Sequence, residues 1–180
     1  MLQKYFIAIV PPEPIMSSIR KVKQDICDAY GTKGALRSPA HITLHMPFSW
    51  EEQKEEKLIT ELSAFGVDQP LSIRLKDYDC FEPRVVFIGV EENAALTGLQ
   101  QGLVRHAKQR LQLFNQAEDM RGFHPHVTVA FRDLKKPAFY ELWKVYRDEV
   151  FHAEFECASL CLLKHHDQRW DVYREFDLLK

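Results

Sequence analysis

The sequence predicts an α+β fold of two pseudo-symmetric lobes, each a small antiparallel sheet with helices on its outer side, flanking a central groove. Three observations predict it. The order strand, helix, strand, helix, strand occurs twice, in halves of about 1–82 and 83–180. The second strand of each half carries one pattern, His41-Ile42-Thr43-Leu44 and His126-Val127-Thr128-Val129. The two histidines stand 85 residues apart in a chain of 180. Self-similarity at half the chain length points to a duplicated supersecondary unit. No linker or low-complexity run separates the halves, so they read as a single domain, 1–180, of ordinary size.

The elements follow in order. Tyr5 to Val10 reads as a buried strand that Pro11-Pro12 ends. Pro14 suits a first helical turn, and Ile15, Ile19, Val22, Ile26 and Tyr30 recur at helical spacing before Gly31. Ala40 to Phe48 alternates as a strand. Ser49-Trp50-Glu51-Glu52 matches a capping box, which predicts a helix through Leu58, Leu62 and Phe65 to Gly66. Leu71 to Phe81 closes the first half as a strand. Val85 to Val90 then reopens the pattern as a buried strand, and Leu96 to Phe114 forms a long apolar stripe. Pro125 to Arg132 reads as a strand, and Pro137 opens a helix carrying Phe139, Leu142, Tyr146 and Val150. Phe151 to Leu163 and Trp170 to Leu178 predict a closing hairpin, with His165 and His166 near its turn as solvated residues.

Composition narrows the function. The net charge is −2, whereas proteins that grip duplex nucleic acid usually carry a large basic excess. Duplex DNA is therefore not expected as a partner. The N-terminal apolar run is too short for a signal peptide or membrane span, and no membrane partner is expected. Cys27, Cys80, Cys157 and Cys161 form no Cys-x-x-Cys pair, so free thiols in a cytoplasmic protein are expected. The charge run from Glu51 to Lys57 reads as a solvated helix face.

Residues two apart in a strand share a face. His41 and Thr43 therefore project together, away from Ile42 and Leu44, and His126 and Thr128 project away from Val127 and Val129. The apolar sets belong to the core, which leaves the His/Thr sets for a cleft. Histidine can take or give a proton near neutral pH, and a threonine hydroxyl can donate to a phosphate oxygen. Two such pairs across one phosphorus supply a base, an acid and two oxyanion donors without a metal. A phosphate between them requires the imidazoles to approach within roughly 5–8 Å, given ordinary hydrogen-bond reach.

Ala40-His41-Ile42-Thr43-Leu44 and Phe123-His124-Pro125-His126-Val127-Thr128-Val129-Ala130 resemble the paired motifs of the 2H phosphoesterase superfamily. Arg84 to Val90 resembles the mid-chain strand of its RNA 2',3'-cyclic phosphodiesterase branch, also called 2'-5' RNA ligases. The resemblance implies hydrolysis of a 2',3'-cyclic phosphate, commonly to a 2'-phosphate, on an RNA terminus or a small nucleotide. It implies His41 as proton donor and His126 as acceptor, with no metal and no cofactor. The residues themselves leave those two roles open. Where several relatives have an arginine this chain has Phe131, followed by Arg132, which strand parity assigns to the cleft.

Four further residues are expected to bind substrate. His45 and His124 share strand parity with the two catalytic histidines, Phe81 could stack on a base at the groove mouth, and Arg132 could reach a phosphate. Alternatives remain open: 2'-5' ligation, 2'-5' phosphodiester cleavage, a zinc site of four histidines, or a non-catalytic nucleotide-binding module. Neither motif carries a carboxylate or cysteine at ligand spacing, which weighs against metal. Pure binding would not need two proton-transfer groups.

Overall fold

The computed structural model describes residues 1–115 and 122–180. Its strands are β1 (Leu2–Ile9), β2 (Ile42–Glu51), β3 (Leu71–Phe81), β4 (Val85–Val90), β5 (His126–Ala130), β6 (His152–Cys157), β7 (Ser159–His166) and β8 (Arg169–Asp177). Its α-helices are α1 (Ile15–Tyr30), α2 (Glu55–Ser63), α3 (Ala94–Leu111) and α4 (Lys136–Tyr146). The strands form two four-stranded antiparallel sheets, ordered β2-β1-β7-β8 and β5-β4-β3-β6. The fold is α+β with two lobes, as the repeated pattern predicts.

Each sheet draws strands from both halves of the chain. β3 ends the first repeat but lies between β4 and β6, whereas β7, from the second, pairs with β1. The helices cross as well. α1 leaves β1 yet packs against β5 and α4, and α3 leaves β4 yet packs against β2 and α2. The back faces of both sheets thus share one apolar core with the helices, among them Ile7, Ile42, Ile73, Ile88, Val127, Leu103 and Phe139. A small second cluster, Phe6, Ala8, Cys161 and Leu163 with Trp170 against it, sits on the opposite face of the first sheet.

Several boundaries differ from expectation. Ser49 lies inside β2, and α2 starts only at Glu55, after a 3-10 turn at Glu52–Lys54, with no side-chain cap. The capping box is therefore not used, because β1 holds this stretch in register out to Glu51 opposite Leu2. α3 stops at Leu111 because Gln112 turns left-handed (φ 56°), which leaves Phe114 exposed beneath the Lys108 ammonium. α4 ends at Tyr146 and Val150 is exposed. There the chain is turned toward a sheet edge, where the Asp77 N–H donates to Phe151 O and Asp77 Oδ1 accepts from Phe151 N. The expected first hairpin arm divides at Ala158 into β6 and β7, one in each sheet. All four cysteines are free. Among the described residues no helix is long and apolar enough to cross a membrane.

Candidate active site

β2 and β5 are edge strands of their sheets and pack against each other where the two sheets meet. His41 immediately precedes β2 and His126 opens β5, so both rings stand at strand entrances. The two are held alike. The Nδ1–H of His41 donates to Pro39 O at 2.8 Å, and that of His126 donates to His124 O at 2.7 Å. A carbonyl can only accept, so each bond fixes the neutral ring with its proton on Nδ1 and leaves Nε2 as the basic nitrogen. Each ring also lies on a phenylalanine of the neighbouring strand, His41 on Phe6 and His126 on Phe87, both at 4.8 Å between centroids. Thr43 pairs across from Ala8 and Thr128 across from Phe87, and both threonines are half-buried. Ile42, Leu44, Val127 and Val129 are buried on the far side.

Electrostatics tie the two histidines together. Burial lowers the His41 pKa to about 4; the Pro39 carbonyl partly opposes this, while the charges of Lys23 and His126 lower it further. Burial also lowers the His126 pKa, with the His124 carbonyl opposing and a charged His124 ring reinforcing it. Both imidazoles are therefore neutral at pH 7 in the free protein. Protonating one opposes protonating the other unless an anion lies between them.

The other expected site residues separate into two groups. Phe81 and His124 stand at the site. Phe81 is 41% exposed and meets the rings of His124 and His126 edge-on at 5.2 Å each. The His124 ring is 6.1 Å from that of His126. Its backbone carbonyl holds the His126 ring, a role that strand parity does not assign.

His45 and Arg132 depart from expectation. His45 is 1% exposed and does not line the cleft. The register passes from Ala8↔Thr43 to Ile7↔His45, which leaves Leu44 as an extra residue. Such a bulge defeats parity and turns His45 inward, edge-on to Phe48 at 5.3 Å. With His45 inside, the four-histidine metal arrangement is not assembled. Among the described residues no group of three His, Cys, Asp or Glu side chains could hold a metal ion.

Arg132 lies beyond the end of β5 at φ 70°, where strand parity no longer applies. Its guanidinium sits over the Phe131 ring at 5.5 Å and lines a separate recess with Arg84 and Lys136. The turn is imposed by the next residue. The Asp133 carboxylate accepts from Thr32 Oγ1 at 2.5 Å, Lys33 N at 2.7 Å and Gly34 N at 3.0 Å. Gly34 is required at that junction, because a Cβ there would meet Phe131 O at 2.5 Å.

Phe6 and Phe87, the ring supports, read in the sequence only as core residues. The signal was present: aligning the repeats places Phe6-Ile7-Ala8-Ile9 over Phe87-Ile88-Gly89-Val90.

Two four-stranded antiparallel sheets that meet at edge strands β2 and β5, each entered through a His-x-Thr motif, define the 2H phosphoesterase class of fold. The model of the 2'-5' RNA ligase superfamily matches residues 11–169, and the chain belongs to that family. A Geobacillus kaustophilus protein provisionally named a phosphoesterase is 27% identical over 177 residues, 96% of this chain and 95% of its own. An RNA 2',3'-cyclic phosphodiesterase of Archaeoglobus fulgidus is 26% identical over 152 residues, 82% of this chain and 83% of its own. Among solved structures, TT0787 of Thermus thermophilus superposes with a TM-score of 0.68 at 19% identity, over 97% of each chain. E. coli LigT complexed with 3'-AMP superposes with a TM-score of 0.67 at 18% identity, over 100% of each chain. At those identities the structures attest the fold.

Proposed function

We propose that this protein hydrolyses 2',3'-cyclic phosphates of RNA ends or small nucleotides, with His41 and His126 as the acid–base pair and no metal. The observation that carries the reading is the matched setting of the two imidazoles. Each donates Nδ1–H to the carbonyl two residues back and keeps Nε2 free, and their charges oppose each other. Such a pair is poised for an anion that carries an attacking oxygen on one side and a leaving oxygen on the other. The Archaeoglobus fulgidus relative, an RNA 2',3'-cyclic phosphodiesterase, supports the choice of substrate.

In this reading one neutral imidazole takes a proton from water through Nε2. The water oxygen bonds to phosphorus, and the bond from phosphorus to one ribose oxygen breaks. The second histidine, protonated on Nε2 when the anionic substrate binds, gives its proton to that oxygen. The products are a phosphomonoester and a free ribose hydroxyl. The Thr43 and Thr128 hydroxyls donate to the non-bridging oxygens as charge builds. The family resemblance casts His41 as donor and His126 as acceptor. Burial beside Lys23 makes the His41 cation costly in the free protein, so the bound phosphate must supply the compensating charge.

Nucleoside 2',3'-cyclic phosphates incubated with the protein in EDTA test this reading, with the product isomer identified by phosphorus NMR. Turnover that survives chelation and yields the 2'-phosphate is expected. Loss on chelation with recovery on zinc or manganese would replace it with a metal mechanism.

A further inference from the structure

A cavity of about 330 Å³ lies beside His41 and has no part in the proton transfers above. Pro39 and Ala40 form one wall, so the residue whose carbonyl holds the His41 ring also lines the cavity. A second wall is one face of α1, which contributes Arg20 and Lys23. The third is the start of β8, with Arg169 and Trp170. Trp170 joins the cavity to the catalytic ring: it packs edge-on against Phe6 at 4.8 Å, and Phe6 packs on His41 at 4.8 Å.

Three cations line this cavity. Lys23 is 3% exposed, an unusual position for an ammonium, and its Nζ donates to Ser38 O at 3.2 Å. A buried ammonium with one carbonyl acceptor keeps donor capacity in hand. Arg20 and Arg169 are exposed, and among the described residues no carboxylate pairs with either guanidinium. Two carboxylates also line the cavity. Glu13 is engaged by the Ser17 N–H at 3.0 Å, and Asp171 is exposed. The local balance is positive in a chain whose net charge is −2.

We infer that this cavity is a subsite for the phosphate on the 5' side of the nucleoside whose 2',3'-cyclic phosphate lies between His41 and His126, bound by Arg20, Lys23 and Arg169. The inference rests on the proposed function and narrows its substrate. One ribose carries both phosphates, and Pro39 and Ala40, the two residues before His41, line the cavity, so one nucleotide can reach both places. Lys23 lines the cavity and is near enough for its charge to act on His41. The protein would then favour an RNA end, whose last nucleoside carries a 5' phosphodiester, over a nucleoside cyclic phosphate with a free 5' hydroxyl. Arginine forks suit such a phosphate, and an aromatic wall suits the adjoining nucleotide.

Three substrates with one terminal base separate the outcomes: a nucleoside 2',3'-cyclic phosphate with a 5' hydroxyl, the same with a 5' phosphate, and a dinucleotide ending in the cyclic phosphate. In the wild-type protein kcat/KM for each of the last two should exceed that for the first by about tenfold or more, the weight of a charge-assisted contact. A gain with the dinucleotide alone assigns the subsite to RNA ends, and a gain with both assigns it to the phosphate itself. The double variant Arg20→Ala/Arg169→Ala should bring both ratios close to one and flatten their salt dependence. Equal kcat/KM for all three substrates in the wild type, or ratios unchanged in the variant, would overturn the subsite. If the wild type turns over none of them, the proposed function fails first. The subsite then stands or falls on the affinity of a fluorescently labelled 3'-phosphorylated dinucleotide. Tenfold weaker binding to the variant supports it, and equal binding sinks it.

Discussion

At the scale of single residues, the proposed chemistry rests on two imidazoles whose pKa values burial lowers. Replacing His41 or His126 with Ala should each lower turnover of a 2',3'-cyclic phosphate by at least about 10²-fold. Near-full activity in either folded variant would remove the two-histidine mechanism. The depressed pKa values also fix a pH dependence. In the proposed mechanism the productive form of the free protein has one histidine neutral and one protonated. Both titrate below the ordinary histidine value, so kcat/KM should peak below pH 6.5 and fall on the alkaline side as the protonated form is lost. An optimum at pH 8 or above would contradict the burial argument. The same shifts govern stability. A histidine whose folded pKa lies below its unfolded one binds more protons when unfolded, so its neutral burial favours the fold above pH 6.5. That contribution falls away as pH drops toward about 4, the His41 value. Lys23→Met removes a positive charge beside His41, so the His41 titration followed by NMR should move upward.

At the scale of elements, two carboxylates pin segments that the backbone alone would leave loose. Glu55 opens α2 and accepts from Tyr5 of β1, from Lys164 Nζ of β7 at 2.8 Å and from Tyr173 Oη of β8 at 2.5 Å. Burial by itself would raise its pKa, but those donors overcome the effect and lower it. Glu55→Ala should cost about 1–3 kcal/mol in denaturant unfolding, because it strips three donors at once. With the carboxylate pKa depressed, the Glu55 contribution is present above about pH 4.5, its ordinary value, and is lost as pH falls through the folded pKa. Asp133 does similar work between the α1–β2 and β5–α4 connections. Element types and the two His-x-Thr strands were legible because alternation and helical spacing are local signals. Three features were not local. The bulge that buries His45 depends on pairing with β1, the suppressed capping box at Ser49 depends on the same pairing, and the left-handed turn at Arg132 depends on contacts about 100 residues away. Parity arguments hold only while a strand stays regular, which is why Ile42, Leu44, Val127 and Val129 are buried as parity predicts, whereas His45 and Arg132 depart from it.

At the scale of the whole molecule, the duplicated pattern was visible but the exchange between its copies was not. Alternation says that β3 and β7 are strands; it does not say which sheet they join. In the structure each crosses to the sheet begun by the other half, and α1 and α3 cross with them. The exchange has an energetic consequence. The chain of residues 1–82 would hold β1, β2 and β3, yet β3 finds its partners β4 and β6 only in residues 83–180, and β1 finds β7 there. Separating the halves would leave the inner edges of β1 and β4 unpaired and expose back-face residues such as Ile7 and Ile88, which share one core. Neither half could satisfy those backbone groups or bury that apolar surface alone. The protein should therefore unfold in one cooperative step. Fluorescence from Trp50, Trp143 and Trp170 and far-UV circular dichroism from all elements should give coincident transitions in urea. Fragments 1–82 and 83–180 expressed separately should each lack a cooperative transition, and mixing them should restore one together with cyclic-phosphate turnover. Two resolved transitions in the intact chain, or a cooperatively folded fragment, would show that the lobes are independent despite their exchanged strands.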